Sequence, residues 1–119
     1  IFMLNKLRFR DRAHYAHGHP LASTSMTGAE AYAHYGADSG PIFSRVGGSI
    51  IRRGSFESTV IGPSDEHWDH VFIARYPNAS AFLEMVTDPT YKEAVKHRQA
   101  AVLTSRLQRF GELEPGATF

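Results

Sequence analysis

The stretch from Trp68 to Arg106 constrains the fold more than any other part of the chain. Val71-Phe72-Ile73-Ala74 is a near-continuous apolar strand that leads through Arg75-Tyr76-Pro77 into a long helical pattern in two parts. A strand that is apolar on both alternations calls for cover on both of its faces. Pro77-Asn78 starts the first helical part, which carries Phe82, Leu83, Met85 and Val86. Asp88-Pro89 then reads as a new N-cap followed by proline at the first helical position, where the missing amide proton has no helical partner to lose. The second part is expected to end near Leu103, ahead of a last strand over Ser105 to Phe110.

The rest of the chain is placed against that unit. Phe2 to Arg8 reads as a strand, with Met3, Asn5, Leu7 and Phe9 on one side and Phe2, Leu4, Lys6 and Arg8 on the other. Both sides are partly apolar, which predicts a central strand. Residues 10–26 break all periodicity and form an irregular insertion; loops of this length are usually functional or mobile. Its His14, His17 and His19 have no acidic or cysteine ligands beside them, so they read as solvated imidazoles and no metal site is expected.

Thr27-Gly28-Ala29-Glu30 is a capping box that opens a helix. Its buried stripe runs Tyr32, Tyr35, Ser39, Phe43 and Val46 at helical spacing, and Gly47-Gly48 ends it. Pro41 inside the pattern predicts a kink or restart near Gly40. Ser49 to Ile61 reads as a long β segment with a bulge or bend at Gly54, and Gly62-Pro63-Ser64-Asp65 as the turn into an antiparallel strand over Trp68 to Tyr76.

The resulting order, β-α-β-β-α-β, predicts an α+β ferredoxin-like sandwich with an antiparallel sheet. A chain of 119 residues suits a single core, here one domain over residues 1–111 with 112–119 as a tail or partner-subunit contact. Two helices cover one sheet face only. Because Ile50-Ile51 and Val71 to Ala74 are apolar on both alternations, the second face is expected to be covered by another copy, making a homodimer.

Composition excludes several classes. With 42% hydrophobic and 21% charged residues the chain is not disordered, and a net charge of +1 supplies no nucleic-acid-binding field. Arg53-Gly54-Ser55-Phe56 lacks the aromatic-glycine-aromatic run of RNA-recognition modules. No apolar run approaches the ~20 residues of a spanning helix, and Ile1 to Leu4 is too short for a signal-peptide core. An opening Ile1 in place of Met is expected of a chain that lacks its first native residues. Zero cysteines rule out disulfides and thiolate metal sites and fit a cytoplasmic setting. There is no phosphate loop, dinucleotide glycine fingerprint or nucleophile elbow, so no cofactor is expected.

Arg98 is the sharpest candidate for chemistry. Tyr91, Ala94, Val95 and Val102 share its helix face, so its guanidinium needs a carboxylate, backbone carbonyls or an anionic ligand. The residue pattern favours an ion pair within the monomer, with ligand binding as the alternative. His70 is the best general-base candidate, on a strand face with Trp68, Phe72, Ala74 and Tyr76. Asp69 and His70 point to opposite faces and make no dyad. Tyr32 and Tyr35 are buried phenols that call for hydrogen-bond partners; core packing is their first reading, with lining of a ligand pocket beside His70, Tyr91 and Arg98 as the functional one. Asn5 and Arg52 are expected to project from their strands into a shared cavity as ligand-binding groups, with Arg52 or Arg53 holding a carboxylate; either arginine reads equally as a solvated strand residue. His97 points away from the stripe and is expected in solvent.

Gly47-Gly48 ahead of Arg53-Gly54, the strand end Arg75-Tyr76-Pro77, and Asp88-Pro89-Thr90-Tyr91 with Arg98 seven residues on resemble the domain-of-unknown-function 1330 family. The resemblance spans Phe2 to Phe110. It implies a dimeric α/β barrel, in which two ferredoxin-like sheets pack face to face as in small cofactor-free monooxygenases, isomerases and cyclases. Two departures stand out: Arg75 where glutamate is frequent, and Met85 where an aromatic is frequent. The function expected is binding of a small aromatic or carbonyl-bearing acid, with cofactor-free catalysis through His70 and Arg98. The competing expectation is a non-enzymatic dimeric binding or structural protein whose Arg98 is fully paired internally.

Overall fold

The computed structural model describes residues 1–119. Its elements are β1 (Phe2–Phe9), α1 (Gly28–Arg45), β2 (Ser49–Gly54), β3 (His70–Arg75), α2 (Ala79–Thr87), α3 (Pro89–Ala101) and β4 (Val102–Phe110). The strands form one antiparallel sheet in the order β2-β3-β1-β4. This is the expected α+β ferredoxin-like sandwich, with β1 and β3 in the centre.

Register assigns the two faces. Met3, Asn5 and Leu7 are the buried alternation of β1, opposite Ala74, Phe72 and His70 of β3, and Asn5 and Leu7 stand opposite Leu107 and Ser105 of β4. These side chains face the helices. Phe2, Leu4 and Lys6 occupy the other face with Val71, Ile73 and Phe110, and Phe2 stacks on Phe110 at 5.3 Å between ring centroids.

Several boundaries differ from the sequence expectation. β2 stops at Gly54 instead of running to Ile61, and residues 55–69 contain no helix or strand. The irregularity of β2 lies between Ile50 and Arg52, not at Gly54. β3 begins at His70, so Trp68 escapes the strand alternation and packs beside Lys6 and Arg106, whose charges sit 5.4 and 5.7 Å from its ring. α3 ends at Ala101 and passes without a loop into β4, whose first residue, Val102, also caps the helix.

α1 opens on the expected capping box, with Glu30 N donating to Thr27 Oγ1 at 3.1 Å and Thr27 N donating to Glu30 Oε2 at 3.2 Å. It then runs unbroken through Pro41. The carbonyl deprived of a partner is that of Ala37, an exposed residue, so water can serve it and no restart is forced. Gly47, at φ 86°, turns the chain out of the helix. Asp88 accepts from the amides of Thr90 and Tyr91 at 2.7 and 3.3 Å and pairs with Arg45 at 2.8 Å, which ties the start of α3 to the end of α1.

The insertion at 10–26 contains no helix or strand, yet it is anchored. Arg10 N and His14 N donate to the carbonyls of Ala101 and Ala100 at 2.8 and 2.9 Å, filling acceptors that the end of α3 leaves open. Buried hydrophobic residues fall into two clusters. One gathers Met3, Ile42, Ala74, Tyr76, Met85 and Tyr91 at the α2 end of the molecule, and the other Tyr15, Ala31, Ala100 and Ala101 beneath the insertion. No helix is long and apolar enough to cross a membrane, and no group of three or more histidine or acidic side chains is placed to hold a metal.

Gly28 is where α1 comes closest to its neighbours: a Cβ there would meet the backbone of Arg10 and, at 2.8 Å, the carbonyl oxygen of Ala101. Gly28→Ala is expected to destabilise the fold by about 1–3 kcal/mol in urea unfolding, overriding the higher helix propensity of alanine. Gly36→Ala, with nothing within 4 Å of the added Cβ, is expected to change stability in the opposite direction by up to about 1 kcal/mol.

Candidate functional site

The helix layer and the sheet enclose a cavity of about 800 Å³, within the range of small-molecule sites. Every strand contributes to its floor: Asn5 from β1, Ile50 and Arg53 from β2, Phe72 and Ala74 from β3, Ser105 and Leu107 from β4. α1 supplies Tyr32, Tyr35, Gly36, Ser39, Gly40 and Phe43 to its roof; α2 and α3 add Phe82, Met85 and Val86, then Tyr91, Val95 and Arg98. Thirteen of the twenty lining residues are hydrophobic, and the only charged ones are Arg53 and Arg98.

Arg98 departs from the expected internal ion pair. None of the four ion pairs in the structure includes it; its Nη2 donates to the neutral Ser105 Oγ at 3.3 Å. The carboxylates of α1 and α3 are engaged elsewhere, Glu30 in the capping box, Asp38 with His97 at 3.2 Å and Glu93 with Lys96 at 2.9 Å. This half-buried guanidinium faces a mostly apolar cavity and bonds only a neutral hydroxyl, which leaves donors for a charge-assisted bond to a carboxylate, the strongest it can form.

The phenols form a chain along the roof. Tyr35 Oη and Tyr91 Oη are 2.9 Å apart, and the Tyr32 and Tyr35 rings lie 5.3 Å centroid to centroid. Burial pushes Tyr32 up to about 12, against the pull of the Arg98 guanidinium, and burial together with Tyr91 raises Tyr35 as well. Tyr32 and Tyr35 are therefore neutral near pH 7 and able to donate hydrogen bonds. Asn5, buried on the central strand, is held by a bond from its Nδ2 to Met3 O at 3.0 Å.

His70 lies in a side lobe of about 80 Å³ whose other walls are Tyr32, Ile50, Arg53 and Phe72, all of which also line the main cavity. Burial, then the neighbouring Arg53, holds its imidazole below the usual 6.5. Its ring meets Phe72 at 5.0 Å and the Tyr32 ring edge-on at 6.0 Å. Asn5, Tyr32, Tyr35, Tyr91 and Arg98 thus converge on one space, with His70 beside it.

Arg52 does not reach the cavity. Ile50 pairs with Ala74, but the next pairs are Arg52 with Ile73 and Arg53 with Phe72, so one extra residue in β2 reverses the alternation beyond Ile50. Arg53 takes the inward place and Arg52 joins Ile73 on the outer face. Arg75, exposed at the end of β3, is also absent from the cavity, whereas Met85 lines it. Ser39 of the buried α1 stripe and Tyr76 also line the cavity, and so does Ser105, whose inward place follows from a strand register with Leu7 that sequence alone does not give.

His97 is likewise not a solvated residue. Its Nδ1 lies 2.7 Å from Tyr15 Oη and its Nε2 3.2 Å from Asp38 Oδ2, with a side chain only 12% exposed. The insertion folds back over α3 and brings Tyr15 and His19 against the ring. Burial, opposed by Asp38, lowers its pKa.

The sequence profile of the family described as Domain of unknown function (DUF1330) matches residues 17–107. The chain belongs to the DUF1330 family. Two crystal structures of the protein RPA0582, described as of unknown function from Rhodopseudomonas palustris, are 58% identical to this DUF1330 chain. The methylated form superposes with a TM-score of 0.90, covering 97% of this chain and 82% of the other. SnoaB, a cofactor-independent oxygenase from Streptomyces nogalater, shares the fold at 16% identity and a TM-score of 0.53, covering 97% and 96% of the two chains. Among curated proteins none matches the sequence.

The depressed pKa values of His70 and His97 set a sign for acid stability. From 6.5 down to the folded values the unfolded chain binds more protons, so stability is full above 6.5 and falls as pH drops through that window. Urea midpoints are expected to be lower at about pH 5 than at pH 7. Arg53→Ala is expected to move the His70 titration upward by NMR and to leave that of His97 in place.

Proposed function

We propose that this protein binds a small aromatic or carbonyl-bearing acid in the cavity beneath α1 and α3, with Arg98 as the anion anchor, and transforms it without a cofactor. The observation that carries this reading is Arg98 itself, half-buried on an 800 Å³ cavity with no carboxylate partner. Asn5, Tyr32, Tyr35 and Tyr91 would orient the acid by hydrogen bonds. His70, neutral near pH 7 because of burial and Arg53, is suited to take a proton from it, with an arginine stabilising the enolate or carboxylate charge that develops. Chemistry of the isomerase, cyclase or monooxygenase type fits this set. The fold is shared with SnoaB, a cofactor-independent oxygenase, which supports an enzyme without a cofactor on this scaffold. The cysteine-free composition fits a cytoplasmic setting.

A homodimer is part of the proposal. Phe2, Leu4, Val71 and Ile73 lie on the sheet face that the chain's own helices leave open, with Ile51 and Phe110 beside them 49% and 43% exposed. Packing that face on a second copy makes the dimeric α/β barrel. Residues 1–111 act as one domain in this reading, with the 112–119 tail free to reach the partner.

A thermal-shift panel of aromatic and keto acids is expected to raise the melting temperature, while the matching amides do not. Arg98→Met should fold and lose at least about tenfold in affinity for the acid that binds; an unchanged affinity places the anion elsewhere. His70→Asn should keep binding and lose about 10²–10⁴-fold in turnover, and an acid that binds wild type but is never consumed marks a non-enzymatic binding protein. In light scattering the protein should run as a dimer, and Ile73→Asp should shift it to a monomer.

A further inference from the structure

The cavity has two chemically different ends, and strand register fixes their order. His70 and Ser105 flank Leu7 in one row across the sheet, and Arg98 closes on that row through Ser105. Four residues along β3, about 13 Å away, the row of Ala74 opens onto a different wall. Here the Tyr76 ring packs edge-on against Phe43 at 5.5 Å and Phe82 at 5.2 Å, with Met85 Sδ 3.9 Å from its hydroxyl. No charged side chain lines this end.

The helices repeat the gradient. α1 runs from Tyr32, near His70, to Phe43, near Tyr76, whereas α3 runs the other way, from Tyr91 to Arg98. Between the two ends α1 presents Gly36 and Gly40, one turn apart, and at both a Cβ would find nothing within 4 Å. Glycine in a helix interior lowers helix stability by about 1 kcal/mol each relative to alanine. Gly36 relieves no backbone clash and neither glycine adopts a positive φ, while at Gly40 the ring of the following Pro41 also disfavours a Cβ in the helical conformation. Their effect is to leave the roof open midway along the cavity.

We infer that the cavity takes an elongated aromatic carboxylic acid, with its carboxylate at Arg98 and a body of at least two rings in line running toward Tyr76 and α2, and that Gly36 and Gly40 are specificity residues that make room for that body. This rests on the reading of the cavity as an acid site. A single-ring acid fills only the Arg98 end; a second ring buries a further aromatic surface against Phe82 and the glycine face, worth at least about tenfold in affinity.

Calorimetry with benzoate and biphenyl-4-carboxylate on the intact protein tests it. Biphenyl-4-carboxylate should bind at least about tenfold more tightly than benzoate. Gly40→Leu, whose side chain enters open space but whose Cβ meets the ring of Pro41, should lower the melting temperature modestly, stay folded and remove that advantage while benzoate affinity stays within about twofold. Phe82→Ala should do the same to the two-ring acid, and Arg98→Met should weaken both acids alike. Equal affinity for the two acids, or equal losses of both in Gly40→Leu and Phe82→Ala, overturns the inference and leaves the acid site standing. Failure of both acids to bind folded wild type overturns the acid site and the inference together.

Discussion

The rest of the structure depends on how closely α1 and α3 approach beneath the insertion. Gly28, Ala31, Ala100 and Ala101 are all buried there, and with no larger side chains between them the two backbones touch. That contact pins one end of the helix layer, and the Tyr76–Met85–Tyr91 cluster pins the other. Between these supports the helices bridge the sheet without filling the space above it. The cavity is thus a consequence of where small and large residues fall along α1 and α3, and of an insertion that serves the open carbonyls at the end of α3.

The same arrangement explains the electrostatics. Carboxylates sit on the outward sides of the helices, where Asp38 meets His97, Glu93 meets Lys96 and Asp88 meets Arg45. The inward sides carry phenols and one guanidinium. An interior that excludes acids but retains Arg98 and Arg53 has a standing positive potential, felt in the pull of Arg98 on the Tyr32 phenol and of Arg53 on the His70 imidazole.

Much of this was legible in the amino-acid order. The capping box at Thr27, the Asp88-Pro89 restart and the doubly apolar β3 located both helical segments and the central strands, because each rests on local backbone chemistry. Helical periodicity set Tyr32 and Tyr35 on one buried stripe and Tyr91 with Arg98 on another. What periodicity does not carry is register and partner choice. Arg52 was misassigned because a bulge is a property of a strand pair, His97 because its partners, Tyr15 and Asp38, come from other segments, and Arg98 because the acids that might have paired with it face the other way. Trp68 was misplaced since the strand starts two residues later, a boundary set by pairing with Leu7.

The bulge in β2 has one more consequence. Around it the strand reads Ile50-Ile51-Arg52-Arg53, two doublets in a row. Each doublet offers the same side chain to both sheet faces, so the bulge exchanges one arginine for the other at the inward place. With the bulge the cavity receives Ile50 and Arg53, and a regular pairing from the same Ile50–Ala74 contact would give it Ile50 and Arg52. The charge of the cavity is thus insensitive to whether the edge strand takes up the extra residue.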